Sequence, residues 1–208
     1  IINQEEYISV LTRGDKRSEV YILIFDQNGK IIKKRQFIEF NDPQGMLSIS
    51  NSRLCVSDTL NRKAFLLNYK LDILKRIDLS QLSGDNRFLC RVPSQINGQI
   101  LFNDYHTGKV IVTDLELNFI KKFTIDYNEF GLLNLRRIFK VYNYYLLLGR
   151  GIKGRSPVIL TKSFSNFINK SKYIGNLLVT PVDYICINKK HIILDKELSI
   201  LKNIDLPL

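Results

Sequence analysis

The sequence repeats itself at long range. Residues 47–58 (LSISNSRLCVSD) and 184–195 (YICINKKHIILD) share one pattern: an apolar run, a polar turn opening on Asn, and a second apolar run closing on Asp. Between them, 96–104 (INGQILFND) and 141–149 (VYNYYLLLG) are built the same way. The positions that close or follow the second run, Asp58, Asp104, Arg150 and Asp195, lie 46, 46 and 45 residues apart. One period upstream of Asp58 is Thr12, which ends the apolar run 7–11. Such a spacing constrains the fold more than composition does, because each copy must be one structural unit that stacks on its neighbours.

A second series keeps the same register. Segments 31–34 (IIKK), 73–76 (ILKR), 119–122 (FIKK) and 167–170 (FINK) each follow another apolar run and a turn, at spacings of 42, 46 and 48 residues. The first of these turns, 26–30 (DQNGK), holds the Asn28-Gly29 pair suited to tight hairpins, since both residues tolerate positive φ. Segment 200–203 (ILKN) comes only 33 residues after the last copy. Either the final unit is shortened, or this segment is its third strand.

The apolar runs are strand-sized and rich in Ile, Val, Phe and Tyr, with Gly, Asn, Asp and Ser between them. Helix signals are scarce; the one candidate is 129–140, whose Leu132, Leu133, Leu135 and Ile138 equally suit a loop entering a strand. Four strands in 40 to 50 residues is the signature of a propeller blade, whereas a sandwich or barrel lacks a period of this length. The expected fold is therefore all-β, a β-propeller of four-stranded antiparallel blades in a single domain. The blades fall near 1–40, 41–83, 84–128, 129–175 and 176–208, the first lacking its innermost strand. About four and a half blades suit a piece of a larger, six-bladed ring, with a compact five-bladed ring as the alternative. The chain opens on Ile1 rather than Met, which fits either a removed leader or a truncated start.

Composition narrows the function classes. The chain is 45% hydrophobic and 25% charged, which excludes bulk disorder, and no apolar run approaches the roughly 18 residues that span a bilayer. Cys55, Cys90 and Cys186 each sit inside an apolar run without zinc or redox spacing, so they are expected to be buried hydrophobes and not a disulfide framework. No metal or cofactor is expected. The formal charge is +11, from 31 Lys and Arg against 20 Asp and Glu, and such an excess points to an anionic partner or to nucleic acid.

Segment 55–69 (CVSDTLNRKAFLLNY) is similar to the core of the NHL repeat: an apolar pair, Asp, a small loop with Asn and Arg, then an apolar strand ending in a turn. Segment 101–114 (LFNDYHTGKVIVTD) is a looser copy, with Thr107-Gly108 where Asn-Arg would stand, and the fourth blade keeps neither the Asp nor the Asn. The chain also resembles the six-bladed propellers of bacterial cell envelopes. The resemblance implies a scaffold or binding module, in the periplasm or at the cell surface for the envelope type, with protein- and RNA-binding members. A minority of related rings are lyases or hydrolases, so fold alone does not choose an activity.

Two sets of cations need separate explanations. Those at 33–35, 75–76 and 121–122 fall early in each fourth strand, the outer edge of a blade, where Lys discourages strand pairing between molecules. The others lie on loops joining second and third strands: Arg13, Lys16 and Arg17; Arg62 and Lys63; His106 and Lys109; Lys153 and Arg155. Carried by successive blades on one face, they would attract an acidic polymer or an acidic protein surface, with Tyr105 and Tyr127 adding stacking surface. Asp15, Glu19, Asp42, Asp58, Asp85 and Asp104 lie on or near the same face, and solvated loop charges are the plainer reading.

Asp58 and Asp104 sit where a propeller mouth could use carboxylates for chemistry. Turn Asp residues equally accept backbone N–H bonds, and Asn61-Arg62 beside Asp58 favours that structural role. His106 and His191 are the only histidines, and no nucleophile motif accompanies His106. Segment 149–154 (GRGIKG) lacks the helix a phosphate-binding loop requires and reads as a hairpin. The sequence assigns no catalytic residue.

Overall fold

A computed structural model describes residues 8–13, 19–50, 52–128, 132–141, 144–151, 156–161, 172–177, 183–187, 190–194 and 200–204. These residues form five antiparallel sheets, each built from strands consecutive in the chain. The first holds β1 (Ile8–Arg13), β2 (Val20–Phe25) and β3 (Ile31–Phe37). The second holds β4 (Pro43–Ser50), β5 (Arg53–Asp58), β6 (Lys63–Asn68) and β7 (Ile73–Asp78). A short helix, α1 (Leu79–Ser83), precedes the third, made of β8 (Ser94–Ile96), β9 (Gln99–Asn103), β10 (Lys109–Asp114) and β11 (Phe119–Thr124). The fourth comprises β12 (Leu132–Val141), β13 (Tyr144–Gly151), β14 (Ser156–Thr161) and β15 (Lys172–Leu177), and the fifth β16 (Asp183–Ile187), β17 (Lys190–Leu194) and β18 (Ile200–Ile204). This is the β-propeller blade plan, and β18 is the third strand of its sheet. The segment at 167–170 lies outside the described residues.

The chain divides into two compact units, one of Ile1–Phe102 with Ile111–Lys122 and one of Asn103–Val110 with Phe123–Leu208. In the first, burial follows from stacking. The middle strands β5 and β6 are buried along nearly their whole length, because both of their faces are covered. Leu54, Val56, Phe65 and Leu67 pack with Val20, Ile22, Ile24 and Phe37 of the first sheet. The alternate residues Cys55, Ala64 and Leu66 pack with Ile100, Phe102 and Ile111 of the third. Each large side chain fully buried this way contributes about 1.5–3 kcal/mol.

Edge strands behave differently. β3, β7 and β11 lie at the ends of their sheets and are the most exposed strands in them, which is where the Lys-rich segments were expected. Some of those cations also bridge to the next blade. Arg35 donates to the Leu71 carbonyl (2.8 Å) and pairs with Asp72 (3.2 Å), and Lys75 reaches the Asn118 side chain (2.6 Å).

The turns between third and fourth strands share one geometry. Asp26, Asn68 and Asp114 each accept with Oδ1 the N–H four residues on, and Gly29, Leu71 and Leu117 each take a left-handed φ of 75°, 65° and 58°. Only Gly29 of the Asn28-Gly29 pair is left-handed, because the Asp26 side chain closes the turn. The two-residue hairpin expected of Asn-Gly occurs instead at Asn97-Gly98, both at positive φ, between Ile96 and Gln99.

Over its described residues the segment 129–140 takes the strand that its leucines equally suited, and a helix forms elsewhere. Residues 132–141 form β12, not a helix, and the pairing of β12 with β13 explains the misleading pattern. Register shifts at Leu132/Asn134 and Leu135/Arg137 each insert an extra residue, so buried Leu132, Leu135 and Ile138 recur every third position. The helix that does form, α1, is capped by Asp78, whose Oδ1 accepts from Gln81 N–H (2.9 Å), and ends at left-handed Gly84. Burial pushes the Asp78 carboxyl up, but hydrogen bonds from Ser80 and Gln81 and the Lys63 charge outweigh it and hold it below its usual value.

Cys55 and Cys90 are buried, as expected, and burial pushes the Cys55 thiol far above its ordinary range. Neither should react with a thiol reagent in the native protein at neutral pH. Mass spectrometry after labelling should find both thiols modified only once denaturant unfolds the chain.

Candidate functional site

The loops between second and third strands begin with a buried carboxylate. In the first unit Asp58 is 1% exposed. Its Oδ1 accepts from Asp42 N–H (2.8 Å), and its Oδ2 from Asn41 N–H (2.8 Å) and the Asn61 amide (2.7 Å). Asn61 also donates to the Glu39 carbonyl (2.9 Å), so this pair clamps the linker entering the blade. The linker leaving it is held by Ser57 Oγ on the Arg91 carbonyl (2.7 Å) and Thr59 Oγ1 on the Cys90 carbonyl (2.8 Å).

The second unit repeats the device one period later. Asp104, fully buried, accepts from His106 N–H (3.0 Å) and the Thr107 hydroxyl (2.5 Å), while the Tyr127 hydroxyl donates to its carbonyl (2.5 Å). Asn103, the counterpart of Ser57, donates its amide to the Leu135 carbonyl (2.8 Å). Both carboxylates thus serve the frame, and the Asn61 contact expected of Asp58 is present. Asp195 and its side chain fall outside the described residues. Among the described residues, no group of three or more His, Cys, Asp or Glu could hold a metal ion.

Each loop ends on a left-handed residue. Arg62 has φ 56° and Gly108, 46 residues later, φ 74°. Both carbonyls accept from the residue after the fourth strand, Leu79 N–H on Arg62 (2.9 Å) and Ile125 N–H on Gly108 (2.8 Å). Glycine carries this conformation at little cost, whereas Arg carries it under strain. Half-buried Arg62 also keeps its Nε out of solvent with no hydrogen-bond partner.

The next residue is a cation in both loops. Lys63 opens β6 opposite Asp58 and Asp78, and Lys109 opens β10. Both are half-buried. Sequence reading grouped the loop cations but missed their register: Arg17, Lys63, Lys109 and Arg155 stand 46 residues apart. Arg13 closes β1 opposite Val20, while Lys16, Arg17, Lys153 and Arg155 lie outside the described residues.

His106 is exposed and meets the Tyr105 ring edge-on, with centroids 4.8 Å apart. Tyr105 and Tyr127 are each only 8% exposed, so little ring face remains for a base to stack on. An open cleft of about 460 Å³ lies beside this loop, lined by His106, Thr107, Asp126, Tyr127, Asn128 and Leu133 among others. Of these, the sequence marks only His106 and Tyr127 as candidate binding residues. The linker 124–128 carries no motif, and its role appears only when it folds back beside the loop.

No protein-family model matches the sequence, and no curated protein does. Solved structures match in fold. A Bacteroides caccae protein of unknown function aligns over 97% of this chain and 73% of its own, with a TM-score of 0.60 and 10% identity. Virginiamycin B lyase from Staphylococcus aureus aligns over 98% of this chain and 75% of its own (TM-score 0.59, 12% identity). A chain of the nidogen–laminin complex aligns over 91% and 70% respectively (TM-score 0.64, 9% identity). Neighbours of this kind are propellers, and identities this low speak to fold alone.

Proposed function

We propose that this chain is a non-enzymatic propeller that binds an acidic polymer or an acidic protein surface through the loops joining its second and third strands. The observation that carries the reading is the cation recurring every 46 residues at positions 17, 63, 109 and 155, beside a strained Arg62 whose Nε lacks an acceptor. Strain and an unmet donor each cost stability, and binding loops are where such costs are retained. The net charge of +11 adds a long-range attraction of the same sign.

An RNA-binding role of the NHL kind is the alternative. It is less favoured because Tyr105 and Tyr127 are packed away and do not offer a stacking platform. A lyase role, as in the Staphylococcus aureus neighbour, would need catalytic groups at these loops, where Asp58 and Asp104 are engaged by the frame. The bacterial cell envelope is the setting that the resemblance suggests for such a module.

Filter binding with polyglutamate and with single-stranded RNA tests the proposal. Affinity is expected at low salt for both, falling steeply as salt rises. Lys63→Glu with Lys109→Glu should weaken it about tenfold or more and reduce the salt slope by about two. Negligible binding to either polyanion at low salt would sink the reading.

A further inference from the structure

The first unit carries a second surface, unrelated to those loops. Most large hydrophobic side chains that the described residues leave exposed are concentrated at one repeat position. Ile31, Ile32, Leu74, Phe119 and Ile120 are each 44–52% exposed and occupy the first two places of edge strands β3, β7 and β11. A pair of cations follows each time: Lys33-Lys34, Lys75-Arg76 and Lys121-Lys122. Protection of a sheet edge accounts for the lysines but not for the apolar residues, which make an exposed edge more prone to association.

The surroundings leave this rim positive. Asp72 is paired with Arg35 and Glu116 with Arg53, and the carboxylates that close the other two turns, Asp26 and Asp114, are outnumbered by the six cations of the three pairs. The bonds from Arg35 of β3 to Leu71 and from Lys75 of β7 to Asn118 tie each edge strand to the turn that precedes the next one, so the apolar starts of the three strands belong to one linked series within the unit. Lys34, Arg76 and Lys121 are exposed.

We propose that this rim docks on an anionic lipid bilayer. Bulky aliphatic and aromatic side chains would enter the interface, while the adjoining Lys and Arg stems lie along it with their charges at the headgroups. A second copy of the chain is a poor occupant, because like charges would face each other at a net +11. An acidic protein would satisfy the cations, but charge complementarity alone would leave the apolar side chains at the head of each strand uncovered.

Cosedimentation with vesicles of phosphatidylcholine, alone and mixed with phosphatidylglycerol, tests this. The protein should pellet with the anionic vesicles and not with the neutral ones. Phe119→Ser with Ile120→Ser, both at exposed positions, should reduce that binding at least about fivefold while leaving polyglutamate binding unchanged. Arg76→Glu with Lys121→Glu should abolish it through charge, which guards against a folding artefact in the first variant. No pelleting with anionic vesicles would overturn the proposal. So would pelleting that the Phe119/Ile120 variant leaves intact, since charge alone would then explain it.

Discussion

Replacing Gly108 with Ala should lower stability by about 3 kcal/mol, read as a fall in Tm of roughly 6–12 °C. Two penalties combine. The residue has φ 74°, where a Cβ costs about 1–2 kcal/mol, and that Cβ would stand 2.0 Å from the Ile125 carbonyl oxygen. The obstacle is backbone, held by the hydrogen bond from Ile125 N–H to the Gly108 carbonyl, so no side chain can swing aside. Arg62→Gly is the companion experiment. It relieves a left-handed side chain but loosens the unfolded chain, and the net change should stay within about 1 kcal/mol of zero. Thermal denaturation of both variants would show whether positions 62 and 108 are the same place in successive blades. Equal losses for the two would contradict that assignment.

The second large effect is expected at Asp58. Truncation to Ala removes the acceptor of three hydrogen bonds and leaves the N–H groups of Asn41 and Asp42 unmet, at a cost of about 3 kcal/mol. Urea denaturation should report the loss, while affinity for polyanions in the folded fraction stays the same or rises slightly, because a negative charge has left the loop. A carboxylate with a direct role in binding or chemistry would behave the opposite way, with function lost and stability spared.

These two positions also mark how far the sequence could be read. Asp58 and Asp104 were legible because the period placed them in register and because Asp before a turn has few structural options. The blade plan was legible for the same reason. β12 was harder to read, since two bulges converted a strand's alternation into a spacing of three. α1 carried its signals, Asp78 and Gln81 at one end and Gly84 at the other, but five residues are too few to show a helical period. The left-handed Leu71 and Leu117 had no sequence signal, because both are held there by their burial in the core.

The loop cations divide in the same way. Their residue types and their grouping on the loops were evident, but the exact 46-residue register of Lys63 and Lys109 emerged only when the loops were matched strand by strand. The cleft beside His106 was invisible, because its lining depends on the linker 124–128 folding back beside the loop. Tyr105 suggested stacking by its type alone, and only its packing against the frame removes it from that role.

Chemical-shift mapping of the isotopically labelled protein during titration with polyglutamate tests the central claim most directly. The account predicts that the largest amide shifts cluster at 61–63 and 105–109, with those of edge strands β3, β7 and β11 little changed. Shifts confined to the edge strands, or spread evenly over every exposed lysine, would contradict it and return the loop cations to the status of solvated charges.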